Sequence, residues 1–394
     1  MHLTAEEEAL LRGDKSEAQK KAMEILAALG KIYDADNLIP ISSAQVSGVS
    51  YQTIGDAGLE FLEDFAANGA KASVPSYLNP LGMDRARWKE MGVPADFAKK
   101  QLKILAAYEK MGISSTCTCA PYQIGIRPER GEHIAWAESS ALSFANSMLG
   151  ARTNRESAVS ALASAIIGKT PNYGLHLDEN RVARLVVEVK ADLKTSTDFG
   201  ALGLLAGELS KGAIPAFKGI PPSAATEDHM KSLGAAMAAS GSVPLYFAEG
   251  ITPEWNVSIF SSEKVTVTAD QIREKKAAMN TAGESKLGLV TLGCPHASLA
   301  EIKEVARILD GRKLSIPLWV CTSRETRAKA EKSGFVKTIE KAGGLVVADT
   351  CMVVSPLEEM GFKATGANSG KAAAYLPPFC GQKVKFADIK ELVE

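Results

Sequence analysis

Three times within residues 285–394 an apolar run meets a cysteine. "KLGLVTLGC" ends at Cys294, "LSIPLWVC" at Cys321 and "GGLVVADTC" at Cys351. Short continuous runs of Val, Leu and Ile read as strands buried on both faces. Helical patterns, "PHASLAEIKEVARILDG" and "TSRETRAKAEKSG", follow the first two. Strand alternating with helix predicts α/β layering around a parallel sheet. Such sheets present functional groups beyond the carboxyl ends of their strands, so the three cysteines are expected near one edge. Thiolates are the usual ligands of iron–sulfur clusters. The competing reading is three small buried residues that only pack.

The rest of the chain supports several lobes. At 394 residues it is long for one hydrophobic core. "TAEE" places Glu7 three residues after Thr4, a capping box that starts a helix. "SEAQKKAMEILAAL" carries Ala22, Ile25, Leu26 and Leu29 at helical spacing. "NLIPISSAQVSGVSYQTIG" reads as a short strand entering a Ser/Gly loop, and "KASVPSYLNPLG" as a strand followed by an Asn79-Pro80 turn. Residues 183–250 alternate apolar runs with helical segments. The expected divisions are an N-terminal lobe over 1–150, a middle lobe over 151–284 and a C-terminal lobe over 285–394.

Composition removes several function classes. The net charge is −1, with no basic stripe for nucleic acid. No segment approaches the roughly 20 apolar residues of a membrane span. "MHLTAEEEALLRG" is too acidic for a secretory signal. The expectation is a soluble, cytoplasmic protein whose six cysteines are free, metal-bound or catalytic.

Local motifs narrow the field. No CxxC pair is present, which weakens zinc-ribbon and thioredoxin readings. "GANSGKAAA" falls short of a phosphate loop: its glycine spacing is one residue too small, and Ala372 stands where Ser or Thr should hold magnesium. Lys371, behind Gly370 at an expected helix start, could still meet an anion, or be a solvated surface lysine. Glu138 and Ser139 in "AESSA" suit an N-cap. Neither a GxSxG elbow nor an HExxH helix occurs, so a hydrolase lacks support. His296, after Cys294-Pro295, reads as a hydrogen-bonded residue before a ligand. "SSTCTCAPYQIG" holds Cys117 and Cys119 too close for an unstrained disulfide. Both could pack, or one could reach a metal while the other turns away.

The string "ESSALSFANSMLGARTNRE", preceded by "TCAPYQIG" and followed by "TLGCPHASLAEI", "ADTC" and "NSGKAAAYLP", closely resembles the aconitase X family over nearly the whole chain. The resemblance implies an aconitase-like, multi-lobed α/β fold with mostly parallel sheets, lacking the swivelling domain. It implies a hydro-lyase of one of two kinds, acting on mevalonate 5-phosphate or on cis-3-hydroxy-L-proline. It carries ligand roles for an iron–sulfur cluster, expected as [4Fe-4S], onto Cys119, Cys294 and Cys351, so that Cys321 gives way to Cys119. Cys117 would then pack behind, and Cys380 would be incidental. By the same resemblance Gly48, Val49, Ser50, Asn79, Pro80, Glu138, Ser139 and Lys371 are expected substrate contacts, with a phosphorylated small molecule favoured. The chain ends at "KFADIKELVE", and a small swivelling subunit is expected to supply a serine base. A cluster-carrying regulatory subunit without turnover is the non-enzymatic alternative.

Overall fold

The computed structural model describes residues 1–255 and 263–394. Three parallel sheets organise it.

The C-terminal sheet has five strands, in the order Gly344–Ala348, Leu318–Thr322, Leu289–Leu292, Ala364–Ala367 and Lys383–Phe386, and every neighbouring pair is parallel. In chain order this is 3-2-1-4-5, a doubly wound sheet. Its order reverses between Leu289–Leu292 and Ala364–Ala367, which opens a crevice beyond their carboxyl ends. The helices are stopped and started by local chemistry. Ser298 and Glu301 form a capping box on Leu299–Leu309, and Ser369 caps Gly370–Cys380. Val290, Ile302, Leu309, Val320 and Ile339 fill one face of this layer.

The middle sheet runs Phe247–Ala248, Pro215–Lys218, Leu185–Lys190 and Lys264–Thr268, again all parallel, in chain order 3-2-1-4. Its helices Ser196–Ser210 and Glu227–Gly241 pack together and against Gly370–Cys380. Gly200 and Gly370 meet backbone to backbone there. A Cβ on Gly370 would lie 2.9 Å from the Gly200 carbonyl oxygen.

The N-terminal sheet is small: Ser76–Leu78, Ala44–Val46 and Ala135–Trp136, parallel and only two or three residues each. Five helices, Ala5–Arg12, Glu17–Ile32, Tyr51–Ala67, Ala95–Lys110 and Ala158–Ile167, build its core around Met23, Leu26, Leu78, Ile104 and Leu162. Strand Lys169–Pro171 pairs antiparallel with Leu38–Pro40. We therefore place the end of this lobe near residue 180, past the boundary at 150 expected from the sequence. No helix among the described residues is long and apolar enough to cross a membrane.

Candidate active site

The carboxyl edges of the N-terminal and C-terminal sheets open onto the same space. In the N-terminal sheet, Val46 leads to Gly48, Leu78 to Asn79 and Trp136 to Glu138. In the C-terminal sheet, Leu292 leads to Cys294, Ala348 to Cys351 and Ala367 to Lys371. Between them lies a cavity of about 460 Å³. It is bordered by the eight expected substrate contacts, Gly48, Val49, Ser50, Asn79, Pro80, Glu138, Ser139 and Lys371, and by Cys119, Cys294 and Cys351.

The two lobes are locked around it. The Leu81 N–H donates to Asp349 (2.7 Å), and the Cys351 N–H donates to Leu81 (3.2 Å). Arg85 donates to the Asp349 carboxylate at 2.8 Å and to the Ser115 carbonyl at 2.7 Å. The Ser50 hydroxyl donates to the Val354 carbonyl at 2.6 Å and accepts from the Gln52 N–H, so it fastens the lobes as well as bordering the cavity.

Two strand-end cysteines border the cavity and one does not. Cys321 lies inside its strand, paired with Val347, and is fully buried in the core. The trio expected from the apolar runs alone therefore does not border one cavity: the second run ended in Cys321 inside the strand, whereas Cys294 and Cys351 follow theirs. Cys119 takes its place, reached from a loop beside the N-terminal sheet. Cys117 is buried away from the cavity at φ 45, with Arg85 3.8 Å from its sulfur. Cys380 faces the Val353 carbonyl at 3.1 Å, outside the cavity.

The donor set has the chemistry of an iron–sulfur site. Three thiols from separate loops surround one space, and the His296 N–H donates to Cys119 Sγ at 3.1 Å, a contact that favours a thiolate. Burial pushes the free Cys119 thiol well above its ordinary pKa. Cys351 is also raised, by its contact with Cys294 and by burial. Such thiols stay protonated until a metal displaces the proton. Among the described residues no three His, Cys, Asp or Glu side chains are grouped to hold a metal ion; the thiols border an open space instead. The residues fit a cluster.

Opposite the thiols, Lys371 is buried rather than solvated and pairs with Glu138. Burial alone would raise the Glu138 pKa. The Lys371 charge and hydrogen bonds from Lys371, Asn79 (2.7 Å) and Ser140 outweigh it and hold the pKa at about 2. Burial likewise opposes the Lys371 charge, but the Glu138 carboxylate keeps its pKa above the lysine range. Tyr375, one turn on from Lys371, and Phe379, half exposed at the rim, also line the cavity. The sequence reading missed both, although their i+4 and i+8 positions would have marked this face.

Thiols, a buried ion pair and facing parallel-sheet edges in a three-lobed α/β chain define a thiol-lined enzyme cavity of the aconitase-like kind. The sequence matches the aconitase X first domain over residues 1–179, the second over 183–277 and the third over 287–394. The chain belongs to the aconitase X family. It is 52% identical over 402 residues to the phosphomevalonate dehydratase large subunit of Methanocaldococcus jannaschii, covering 100% of both chains. A crystal structure of Thermococcus kodakaraensis aconitase X (holo-form) superposes with a TM-score of 0.93 at 47% identity, covering 100% of this chain and 99% of that one. The cis-3-hydroxy-L-proline dehydratase of Pseudomonas aeruginosa is 37% identical, over 100% of this chain and 69% of that protein.

Proposed function

We propose that this chain is the large subunit of a phosphomevalonate dehydratase, removing water from (R)-mevalonate 5-phosphate to give trans-anhydromevalonate 5-phosphate. The observation that carries this reading is the end-to-end match, at 52% identity, to a large subunit of that name, against 37% identity and 69% coverage for the hydroxyproline enzyme.

The cavity is suited to an anionic substrate. Lys371 supplies a fixed cation, and helix Gly370–Cys380 begins there with its positive end. Gly48 adopts φ 71, and among the described residues the backbone N–H groups of Gly48, Val49 and Ser50 find no protein acceptor. A turn that offers such amides suits a phosphate. Glu138, ionised and aligned by Lys371 and Asn79, can accept a hydrogen bond from a substrate hydroxyl.

Cys119, Cys294 and Cys351 would hold an iron–sulfur cluster, proposed as [4Fe-4S]. When bound, it supplies a Lewis-acidic iron that stabilises the departing hydroxyl.

Neither titratable member of the ion pair can remove the carbon-bound proton. Glu138 is far too acidic for a base near neutral pH, and Lys371 is held protonated. With neither of these available, the reading gives the base to a second, small subunit, with a swivelling-domain serine as the candidate. The exposed Phe379 at the rim offers an apolar foothold for closure.

The test is anaerobic assay of the iron-loaded chain with its small subunit on both substrates. Dehydration of mevalonate 5-phosphate is expected. Turnover of cis-3-hydroxy-L-proline alone would reassign the substrate, and turnover of neither would leave a cluster-carrying subunit.

A further inference from the structure

His296 is fully buried and borders no substrate space, yet it touches all three thiol-bearing loops. It lies two residues after Cys294. Its Nε2 is 2.8 Å from the carbonyl oxygen of Thr350, the residue before Cys351. Its Nδ1 is 3.0 Å from the hydroxyl of Thr118, the residue before Cys119. Its backbone N–H reaches Cys119 Sγ at 3.1 Å.

The partners fix the tautomer. A carbonyl only accepts, so Nε2 carries the proton and Nδ1 accepts from the Thr118 hydroxyl. That hydroxyl in turn accepts the Ala120 N–H at 3.1 Å, which shapes the turn just past Cys119. The far side is held too. The buried Lys231 ammonium, bonded to Asp228 (2.9 Å) and Glu301 (2.5 Å), donates to the His296 carbonyl at 3.3 Å. The Gln123 carboxamide satisfies both neighbours with its nitrogen toward that carbonyl (3.2 Å) and its oxygen accepting from Lys231 (3.1 Å).

We propose that His296 is a positioning residue: its imidazole braces the Cys119 and Cys351 loops against the Cys294 loop and fixes the spacing at which the three thiols hold their cluster. This rests on the reading of those thiols as cluster ligands. Groups that orient metal ligands without touching the metal commonly govern affinity by about 10–100-fold. An imidazole that merely filled the core would affect folding stability and nothing more.

The experiment uses the full chain, loaded anaerobically with iron and sulfide. It reads the rate of iron loss to a ferrous chelator, the electron paramagnetic resonance of the cluster, and the melting temperature of the metal-free chain. H296F keeps the bulk and removes both imidazole hydrogen bonds. It should lose iron about tenfold faster or more, with an altered resonance. H296Q keeps a donor near the Nε2 position and should recover most of the lifetime. L357A, a buried packing variant, should lower melting while leaving iron loss at the wild-type rate. If H296F does not fold, T118V removes one brace with an isosteric side chain and should speed iron loss about threefold. Wild-type iron loss and resonance in every folded variant of His296 and Thr118 would overturn the proposal. A wild-type chain that takes up no iron would instead overturn the cluster reading beneath it.

Discussion

The middle and C-terminal lobes carry the same device and use it differently. Both sheets are wholly parallel, and both begin with the strand order 3-2-1-4. Each therefore has a crevice where the order reverses. In the C-terminal lobe that crevice is flanked by Cys294 and Lys371 and faces the N-terminal sheet. In the middle lobe the equivalent strands are Leu185–Lys190 and Lys264–Thr268. The helices that follow them are joined by Lys276 and Asp198 at 2.5 Å, and the cavity of about 390 Å³ that Lys194–Ser196 share with Leu292, Gly293 and Asn368 of the C-terminal lobe has no cysteine among its lining residues. A reversal in strand order offers a place for chemistry, but a site also needs reactive side chains brought to it, as Cys119, Cys294, Cys351, Glu138 and Lys371 are in the other cavity. The middle lobe serves the site from behind, by packing against the helix that bears Lys371.

The largest expected effect breaks the C-terminal half of this comparison. Replacing Cys119, Cys294 or Cys351 by Ala should abolish the visible absorption and iron content of the loaded chain. C321A and C380A should keep both, at a stability cost of about 1 kcal/mol. Full iron in C119A with loss in C321A would restore the strand-end trio.

Next comes the ion pair. K371M leaves Glu138 buried without its partner, and should cost about 3–5 kcal/mol of stability and most of the turnover. Adding E138Q should return much of the stability but none of the activity, as denaturant melts and initial rates would show. The pH dependence has a definite sign. Glu138 is more acidic in the folded chain, at about 2, than its ordinary 4.5. Its stabilising share is complete above about pH 4.5 and is lost as pH falls toward 2. E138Q should flatten the stability profile across that window. An unchanged profile would remove the pair from the acid response.

A smaller effect separates support from enclosure. G370A inserts a methyl against the Gly200 carbonyl, and G203A inserts one 2.4 Å from the Leu233 carbonyl within the middle lobe. Each should cost about 1–3 kcal/mol. Only G370A should raise KM for the substrate. Equal KM shifts would mean that the middle lobe shapes the cavity as a whole. The smallest effect is at the unused crevice: K194A, whose partner Asp192 is exposed, should stay within about 0.5 kcal/mol with unchanged turnover.

What was legible in the sequence followed element length. Three of the five C-terminal strands, Leu289–Leu292, Leu318–Thr322 and Gly344–Ala348, lie in apolar runs that announced the sheet and put Cys294 and Cys351 at its edge; Ala364–Ala367 and Lys383–Phe386 have no such run and went unread. Strands of two or three residues, such as Ala135–Trp136, are too short for any periodicity to show. That strand stayed opaque to pattern, whereas its neighbours Ala44–Val46 and Ser76–Leu78 lie in segments that read as strands and Glu138 stands at the N-cap expected of it; the substrate roles of Gly48, Asn79 and Glu138 came forward only through family resemblance. Cys321 misled because an apolar run does not reveal whether its last residue lies inside the strand or beyond it. The pairing of Lys371 with Glu138 was invisible as well, since nothing local links residues that meet only when two sheet edges face each other.

The meeting of Gly200 with Gly370 gives the site an unusual reference surface. Where side chains separate two helices, the spacing is an average over rotamers and softens as they exchange. Two glycines leave nothing to exchange. The depth at which the Lys371 helix seats is then set by main chain against main chain, like two machined faces without a gasket. Beyond that seat, the ammonium's position depends on the lysine's own four methylenes, and the pairing with Glu138 restrains them.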